Sequence, residues 1–498
     1  MKFLALRLCA HDSNISYFNG EEVLYYKSER DFQIKHHGFN NLTEWTHILK
    51  KWNIDPSSID AIGITIDSFR YPDIECDEET LFEVIKIDEI SKIGFECPIY
   101  RVDHHYAHKL SVWPLDVETD IDFVYDGFGD DKISHSIFKN NDRILKHKIY
   151  QYPSFSMEMS SYGNELDLDG SPLDWAGKIM ALKGYSNLTK REQSKLLREM
   201  KSYGMKDFNK IWNRERIRHS LSDQDTFNSI NISHTTTENI FLKHFKSFLR
   251  GRETVSYSGG TAQNTIINSV LKKGIRNLHI PPHCNDEGLS LGILECLRLI
   301  YDQPKLKINN FPFCQSDESP DTKVSSNTIK KVAEMIADGK IVGWYQGNGE
   351  IGPRALGNRS ILMNPSIKNG KQILNDRVKH REWFRPFGCS ILEEDVSKYF
   401  DWNSESDYML YVVNILDKTS FPSITHVDNT CRIQTVSPKL DSYYELISEF
   451  KNVTGIPMIL NTSLNRGGKP ICGRKSDAID FFSESDFDVL VVGDTIYS

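Results

Sequence analysis

At 498 residues the chain is too long for one hydrophobic core, and its length predicts two or three domains. A hydrophobic fraction of 39% and a charged fraction of 26% are typical of a globular protein. The net charge of -9 excludes a protein that coats nucleic acid through bulk electrostatics, although it allows a nucleotide in one local basic pocket.

Neither the cysteines nor the N-terminus indicates export. The nine cysteines are an odd number with no Cys-x-x-Cys pair, so we expect reduced thiols in a cytosolic compartment. The N-terminal apolar run is interrupted by Arg7, His11 and Asp12 before a signal sequence could form. No stretch reaches the length of a membrane span, and the sequence predicts a cytoplasmic protein without a membrane partner.

The first half of the chain contains one pattern twice. Residues 3–25 read as a buried strand, a polar turn and a hairpin closed by Asn19-Gly20 in a two-residue turn. Residues 121–148 repeat this order, with the polar turn at 126–130 and Asn140-Asn141 closing the hairpin. Such a repeat is what a duplicated actin-like ATPase core requires, in which the two polar turns face each other around nucleotide phosphates. The alternative is two unrelated hairpins in a mixed α/β domain.

Histidines occur at two positions where they could do chemistry. His104 and His108 are four residues apart and share one helical face, with Asp103 as the N-cap, so they could bind a divalent metal if a carboxylate completes the site. The alternative is an ordinary helix-surface pair, and His105 is expected to lie outside the ligand set or in solvent. His11, in the first polar turn, could accept a proton near neutral pH, or could be a turn histidine bonded to backbone.

The middle of the chain changes character twice. Residues 151–250 are mostly polar and helical and predict an inserted helical layer. A glycine pair, Gly259-Gly260, then opens a helix and could let backbone amides approach adenosine or phosphate, although alone it is a weak motif. Residues 309–323 are rich in Pro, Ser and Asp and predict a linker, with a domain boundary near residue 322. A helix that stops at Gly339 and the strand 341–347 are expected to begin the second domain.

Residues 350–386 concentrate positive charge, with eight Lys or Arg between Arg354 and Arg385. Arg354 and Arg359 each follow a glycine-containing turn, and a planar guanidinium presented there can clamp phosphate or carboxylate. Lys379 and Arg381 alternate and are expected on one side of an extended segment. The alternative is a solvated basic loop, but interleaved aromatic residues would tie the segment into a core. We therefore expect a site for a multiply anionic ligand.

This basic stretch resembles the C-terminal domain of the O-carbamoyltransferases that modify nodulation factors, cephalosporins and aminoglycosides. Residues 426–436, 454–465 and 470–471 agree with the same family, and further short motifs extend the resemblance over nearly the whole chain. Among them are Glu29-Arg30, Lys35-His36 and residues 177–185. Ser28 and Lys183-Gly184 depart from the usual family pattern, which leaves recognition of the acceptor less certain than activation of the carbamoyl group.

The resemblance implies an α/β architecture of two domains. Residues 1–322 would form a duplicated actin-like ATPase (ASKHA) domain with the helical insertion, and residues 323–498 a smaller domain similar to threonylcarbamoyl-adenylate synthases (YrdC-like). The second domain would convert carbamoyl phosphate and ATP to carbamoyl-adenylate and pyrophosphate. The first would transfer the carbamoyl group to an acceptor hydroxyl, with AMP as the leaving group.

The resemblance also implies a role for individual residues. The expected catalytic residues are His11, Lys379 and Arg381. The expected ligands of a divalent metal (Fe, Mn, Zn or Mg) are His104, His108, Asp126 and Asp286. The expected contacts to nucleotide, phosphate or carbamoyl groups are Gly127, Gly129, Asp130, Lys178, Ser258, Gly259, Gly260, Asn264, Arg354, Arg359, Arg385, Arg432, Asn461, Thr462 and Ser463.

Two other functions fit the same superfold. One is a subunit similar to the tRNA threonylcarbamoyltransferases, which the net charge and the second domain argue against. The other is a phosphotransferase or a non-catalytic nucleotide-binding module. The acceptor itself is open: a sugar or natural-product hydroxyl is the first expectation, a hydroxymethylated nucleotide or DNA base the second. The chain could also associate as a homodimer.

Overall fold

The fold is known from a computed structural model, which describes residues 1–8, 11–66, 79–212, 220–315 and 323–498. Three sheets order the chain. Strands of the first sheet are β1 (Phe3–Leu8), β2 (Asn14–Phe18), β3 (Val23–Lys27), β4 (Ala61–Ile66), β5 (Phe82–Ile85) and β6 (Ile99–Val102), in the order β3-β2-β1-β4-β6-β5. Strands of the second are β7 (Ile121–Tyr125), β8 (Ile133–Lys139), β9 (Asp142–Lys148), β10 (Val255–Ser258) and β11 (Leu278–His279), in the order β11-β10-β7-β8-β9.

These two sheets repeat one topology. In each, the first three strands form an antiparallel meander, and the first strand also pairs with a parallel strand on its other side. The duplicated, actin-like arrangement predicted from the hairpins is therefore confirmed. Asn140 and Asn141 both have positive φ and close the second hairpin with two residues, as predicted. The first hairpin differs: residues 19–22 form a four-residue turn, because the Asn19 side chain accepts from the N–H groups of Glu21 and Glu22.

Helices of the first half connect and cover these sheets. They are α1 (Ser28–Phe32), α2 (His47–Lys51), α3 (Asp88–Ser91), α4 (His104–Leu110), α5 (Phe155–Glu165), α6 (Pro172–Leu182), α7 (Lys190–Glu199), α8 (Phe208–Trp212), α9 (Gln224–Phe248), α10 (Thr265–Gly274) and α11 (Leu289–Ile300). The helices α5 to α9 form the predicted helical layer. Helix α11 lies against α4 so closely that a Cβ on Gly292 would come within 1.8 Å of Ala107 O. This contact fixes the helix that carries the histidine pair.

The third sheet contains the remaining strands. They are β12 (Val342–Tyr345), β13 (Arg359–Met363), β14 (Gly388–Leu392), β15 (Tyr411–Asn414), β16 (Thr430–Val436), β17 (Met458–Ser463), β18 (Val489–Val492) and β19 (Thr495–Tyr497), in the order β15-β16-β14-β17-β13-β12-β18-β19. The accompanying helices are α12 (Ser326–Ala337), α13 (Gly370–Leu374), α14 (Val396–Tyr399), α15 (Asp441–Thr454) and α16 (Lys475–Glu484). The predicted first helix and strand are confirmed as α12 and β12.

The domain boundary near residue 322 and residues 316–322 of the predicted linker lie outside the described residues, and the division at that point stays a prediction. The likeness of the eight-stranded mixed sheet to threonylcarbamoyl-adenylate synthases also stays a prediction. Within the described residues, no helix is both long and apolar enough to span a membrane.

Candidate active site

The histidine pair of α4 meets two carboxylates from distant parts of the chain. His104 Nε2 lies 3.0 Å from Asp126 Oδ2 and 3.5 Å from Asp286 Oδ1. His108 Nε2 lies 3.8 Å and 3.2 Å from the same two oxygens. One ligand atom from each of the four residues lies within 4.8 Å of all the others. All four residues are buried, so the interpretation of the histidines as a helix-surface pair is wrong.

The cluster is held in a state that favours a cation. Against the effect of burial, Arg7 and His104 hold the pKa of Asp286 well below its ordinary value. Burial alone would lower the pKa of His104, but Asp286 and Asp126 raise it to about 10. The buried Nδ1 of His108 makes no hydrogen bond within the described part of the chain, while its Nε2 faces the two carboxylates. Two imidazoles and two ionised carboxylates are a donor set for a divalent metal, although they do not select one metal.

The turn that follows β10, at Gly259 and Gly260, lies against this cluster. Gly259 has φ +92, and a Cβ there would lie 2.1 Å from Tyr125 O. The Gly260 N–H donates to Asp126 Oδ1 at 2.8 Å, and a Cβ on Gly260 would lie 2.7 Å from that oxygen. Ser258 Oγ donates to His108 O at 3.1 Å. These three residues therefore support the cluster directly, a role that the glycine motif alone did not indicate.

The first polar turn brings a further set of charged groups to the same region. Asp12, at φ +52, lies between two histidines: His11 Nδ1 is 3.1 Å from Oδ2 and His36 Nδ1 is 3.0 Å from Oδ1. His36 Nε2 continues to Asp174 Oδ1 at 3.4 Å, and Lys35 pairs with the same carboxylate. Burial lowers the pKa of His36, but Asp12 and Asp174 raise it to about 10. Asp174 was not predicted, because nothing near it in sequence indicates a contact with residues 35 and 36.

A cavity of about 310 Å³ lies between the two halves of the chain. From the first half it is lined by His36, Asp174, Gly260 and Asn264, among others. From the second half come, among others, Arg354, Lys379, Arg381, Arg385, Arg432, Asn461, Thr462 and Ser463, with Asp428 and Lys469 also in the lining. Because Gly260 lines the cavity while its N–H contacts Asp126, the histidine and carboxylate cluster lies directly behind this part of the wall.

The second-half wall of the cavity is strongly cationic. Within the described residues, Arg354, Lys379, Arg381 and Arg432 make no ion pair with an acid, and only Arg385 does, with Glu382 Oε2 at 3.4 Å. Burial and neighbouring cations lower the pKa of Lys379 well below its ordinary value and that of Arg432 to about 9. Uncompensated cations at this density are costly in the ligand-free fold, and a multiply charged anion would relieve that cost.

The loop that carries these cations is not the extended segment predicted for residues 378–382. Residues 375–379 form a π-helical turn, and His380 follows with φ +45. The Asn375 side chain closes the turn by pairing with both backbone groups of Arg381. Lys379 Nζ then donates to Ser463 O at 2.7 Å and Asn465 O at 2.6 Å, and Arg381 stacks on Phe387 with 4.2 Å from Cζ to the ring centroid.

Several predicted residues do not line the cavity. Arg359 donates to the carbonyls of Gln346, Gly347 and Asn358 and stacks on Tyr345, so it supports strand β13. Asp130 accepts from His104 N at 3.0 Å, and a Cβ on Gly129 would lie 2.6 Å from His105, so both shape the start of α4. The remaining predicted residues outside the lining are Gly127, Ser258, Gly259, Lys178 and His11, together with the predicted metal ligands His104, His108, Asp126 and Asp286. His105 is buried beside Ser136, and not in solvent.

Asn264 and Asn461 line the cavity but already have protein partners. Asn264 caps α10 through Ile267 N, and its amide nitrogen meets His234 Nε2 at 3.0 Å. Asn461 Nδ2 donates to Ser390 Oγ at 2.9 Å, whereas its buried Oδ1 makes no hydrogen bond within the described residues.

Comparison with known proteins gives a family match for the part of the chain that carries the cavity cations. Residues 333–498 match the family described as Carbamoyltransferase C-terminus. Nodulation protein NolNO of Sinorhizobium fredii is 36% identical over 51% of this chain and 40% of its own length. A 3'-hydroxymethylcephem-O-carbamoyltransferase of Amycolatopsis lactamdurans is 32% identical over 48% of each chain.

The chain resembles the O-carbamoyltransferases, and the match to the carbamoyltransferase family covers its residues 333–498. The resemblance read from its motifs is thereby confirmed. The first relatives are matched over half of their length or less, 40% and 50% for the two nodulation proteins. An uncharacterized protein of Methanocaldococcus jannaschii is 29% identical over 99% of both chains. Among solved structures, full-length HypF in the phosphate- and nucleotide-bound form has a TM-score of 0.34 and 14% identity over 61% of this chain and 47% of its own.

Proposed function

We propose that the protein is an O-carbamoyltransferase that activates and transfers the carbamoyl group in one shared cavity. The observation that carries this proposal is the set of four cavity cations without an acidic partner, Arg354, Lys379, Arg381 and Arg432. Carbamoyl phosphate and ATP are multiply anionic substrates that would neutralise them. The neutral groups of Asn461, Thr462 and Ser463 lie on the same wall, where they could bond carbamoyl or phosphate oxygens.

The first half-reaction would take place at the cationic wall. One water molecule would hydrolyse carbamoyl phosphate to carbamate and phosphate, and the carbamate oxygen would then attack the α-phosphorus of ATP, giving carbamoyl-adenylate and pyrophosphate. Carbamate is short-lived in water, so a cavity enclosed by both halves of the chain suits this step. Arginine is suited to such anions because its planar donors bind two phosphate oxygens at once.

The second half-reaction would take place towards the histidine cluster. The acceptor hydroxyl would attack the carbamoyl carbon, AMP would leave, and the hydroxyl proton would pass to His11. If Asp12 accepts from Nδ1–H of His11, the Nε2 atom carries the lone pair that a base needs. His104, His108, Asp126 and Asp286 would hold a divalent ion, which when bound supplies positive charge for the adenylate phosphate.

The test follows the first half-reaction, because it needs no knowledge of the acceptor. Exchange of labelled pyrophosphate into ATP should require carbamoyl phosphate. A subunit of the tRNA threonylcarbamoyltransferase type, a phosphotransferase or a nucleotide-binding module should show no such exchange. A metabolite screen with labelled carbamoyl phosphate and ATP, read by mass spectrometry, would then identify acceptors. Absence of the exchange in folded protein would refute the proposal.

A further inference from the structure

The helical layer contacts the basic loop through a buried ion pair. Lys178, on α6, pairs with Glu382 and also donates to Asp169 O at 2.5 Å. Its side chain is 7% exposed and that of Glu382 is 17% exposed. The ammonium group thus already interacts with protein oxygens, and the residue does not line the cavity. This placement differs from the nucleotide contact that the family resemblance implies for Lys178.

Glu382 divides its two oxygens between two cations. Oε1 faces Lys178, and Oε2 lies 3.4 Å from Arg385 Nη1. Arg385 is the one second-half cation of the cavity wall that makes an ion pair with an acid, as far as the described residues show. The degree to which Glu382 neutralises Arg385 therefore decides whether this cation can serve an anionic ligand.

A carboxylate and a guanidinium left to themselves form a bidentate pair, with both oxygens against two N–H groups. Such a pair would turn the Arg385 donors away from the cavity. Because Lys178 occupies Oε1, Glu382 gives Arg385 only one long contact. We propose that Lys178 is a positioning residue that keeps Arg385 available to an anion in the cavity by holding Glu382. This inference rests on the anion site of the proposed function.

The contact between α6 and the second half is fixed by other groups close to this pair. His426 Nε2 lies 3.0 Å from Ala181 O, and Tyr185 meets Trp383 edge to face with 5.0 Å between ring centroids. A Cβ on Gly184 would lie 2.7 Å from His426 Nε2, so the two surfaces approach without space for a side chain. Lys178 therefore projects from a helix that is held against the loop it acts on.

Removal of charges in a defined order tests the proposal, with inorganic pyrophosphate as the probe and calorimetry as the measurement. Lys178→Met should release Glu382 to Arg385 and weaken pyrophosphate binding about tenfold, the scale of one charge-assisted contact. Lys178→Met with Glu382→Gln removes the competitor as well and should restore wild-type affinity. If Lys178 itself bound phosphate, the double variant would bind as weakly as the single one, and the proposal would be overturned.

Two controls separate the outcomes. Arg474→Met breaks the ion pair with Asp31, which also joins the two halves but includes no cavity cation, and it should leave the affinity unchanged. Arg385→Met should weaken binding in the wild-type protein but add little to Lys178→Met, and full additivity would count against the proposal. If the wild-type protein binds no pyrophosphate, the proposed anion site itself fails. If it binds but Lys178→Met has no effect, only the positioning role fails.

Discussion

Arg354 and Arg359 belong to the same short motif, and the structure predicts opposite consequences when each is replaced by methionine. The Arg354 side chain lines the cavity and makes no hydrogen bond or ion pair with the described part of the chain. Burial and the nearby Arg385 lower its pKa, which shows that the charged form is disfavoured in the ligand-free protein. Arg359 is 1% exposed and donates to three backbone carbonyls.

The expected changes in affinity and melting temperature follow from the contacts of each arginine. A charge-assisted contact to phosphate contributes about 1.5 to 3 kcal/mol, so Arg354→Met should weaken carbamoyl phosphate or ATP binding about tenfold to a hundredfold. The same change should leave the melting temperature unchanged or slightly higher, because an unpaired cation is lost. Arg359→Met strands buried carbonyls at about 1 to 3 kcal/mol each. Over the three carbonyls, and at about 2 to 4 °C per kcal/mol, the melting temperature should fall by at least about 6 °C.

The assay combines differential scanning calorimetry of both variants with isothermal titration of carbamoyl phosphate and ATP. The folded fraction of Arg359→Met should retain near wild-type affinity, since Arg359 does not line the cavity. The reasoning fails if Arg354→Met destabilises the protein as much as Arg359→Met while the affinity for both substrates stays at the wild-type value.

Three more predictions concern the first half of the chain. Chelation, or His108→Ala, should stop carbamoyl transfer while pyrophosphate exchange continues. Adding a divalent ion should restore transfer in the chelated protein. Full transfer by protein shown to be metal-free by elemental analysis would contradict this. Gly260→Ala should lower transfer strongly by crowding Asp126, whereas Gly204→Ala, with nothing within 4 Å of its Cβ, should not; equal transfer rates would refute that account. His36→Gln should lower the free energy of unfolding most near pH 6, and the loss should shrink towards pH 10. The reason is that the pKa of His36 is raised to about 10, so its stabilising charge is lost as pH rises through that value. Urea denaturation of both proteins at both pH values is the test, and an equal loss at pH 6 and pH 10 would contradict it.

Local patterns of the sequence predicted the local parts of the fold. The strand and hairpin repeat was visible because turn residues and alternating apolar residues act over a few positions, as Asn140-Asn141 illustrates. The histidine pair was visible because a spacing of four residues is one helical turn. Asp286 joined it only through the family resemblance, since it lies far along the chain from both histidines.

The predicted positions that differ from the structure belong to side chains that are placed by tertiary contacts. Arg354 and Arg359 looked alike in sequence, but Arg359 begins strand β13 opposite Tyr345, and that pairing turns its guanidinium onto the ring. Lys379 and Arg381 were expected on an extended segment, but the Asn375 side chain closes a turn between them. Lys178 was assigned to a nucleotide because the acid it contacts, Glu382, belongs to another part of the fold.

The cations of the second-half wall and the carboxylates behind the Gly260 turn constrain where an adenylate can reside. Arg354, Lys379, Arg381 and Arg432 face it from one side, and the carboxylates Asp126 and Asp286 lie behind the Gly260 turn on the other. A phosphate moving from these cations towards the carboxylates would exchange attraction for repulsion, which is unfavourable in a partly enclosed site. A divalent ion held by His104, His108, Asp126 and Asp286 would offset that repulsion. Retention of the adenylate near His11 should therefore depend on a bound cation, whereas binding of carbamoyl phosphate and ATP at the second-half wall should not.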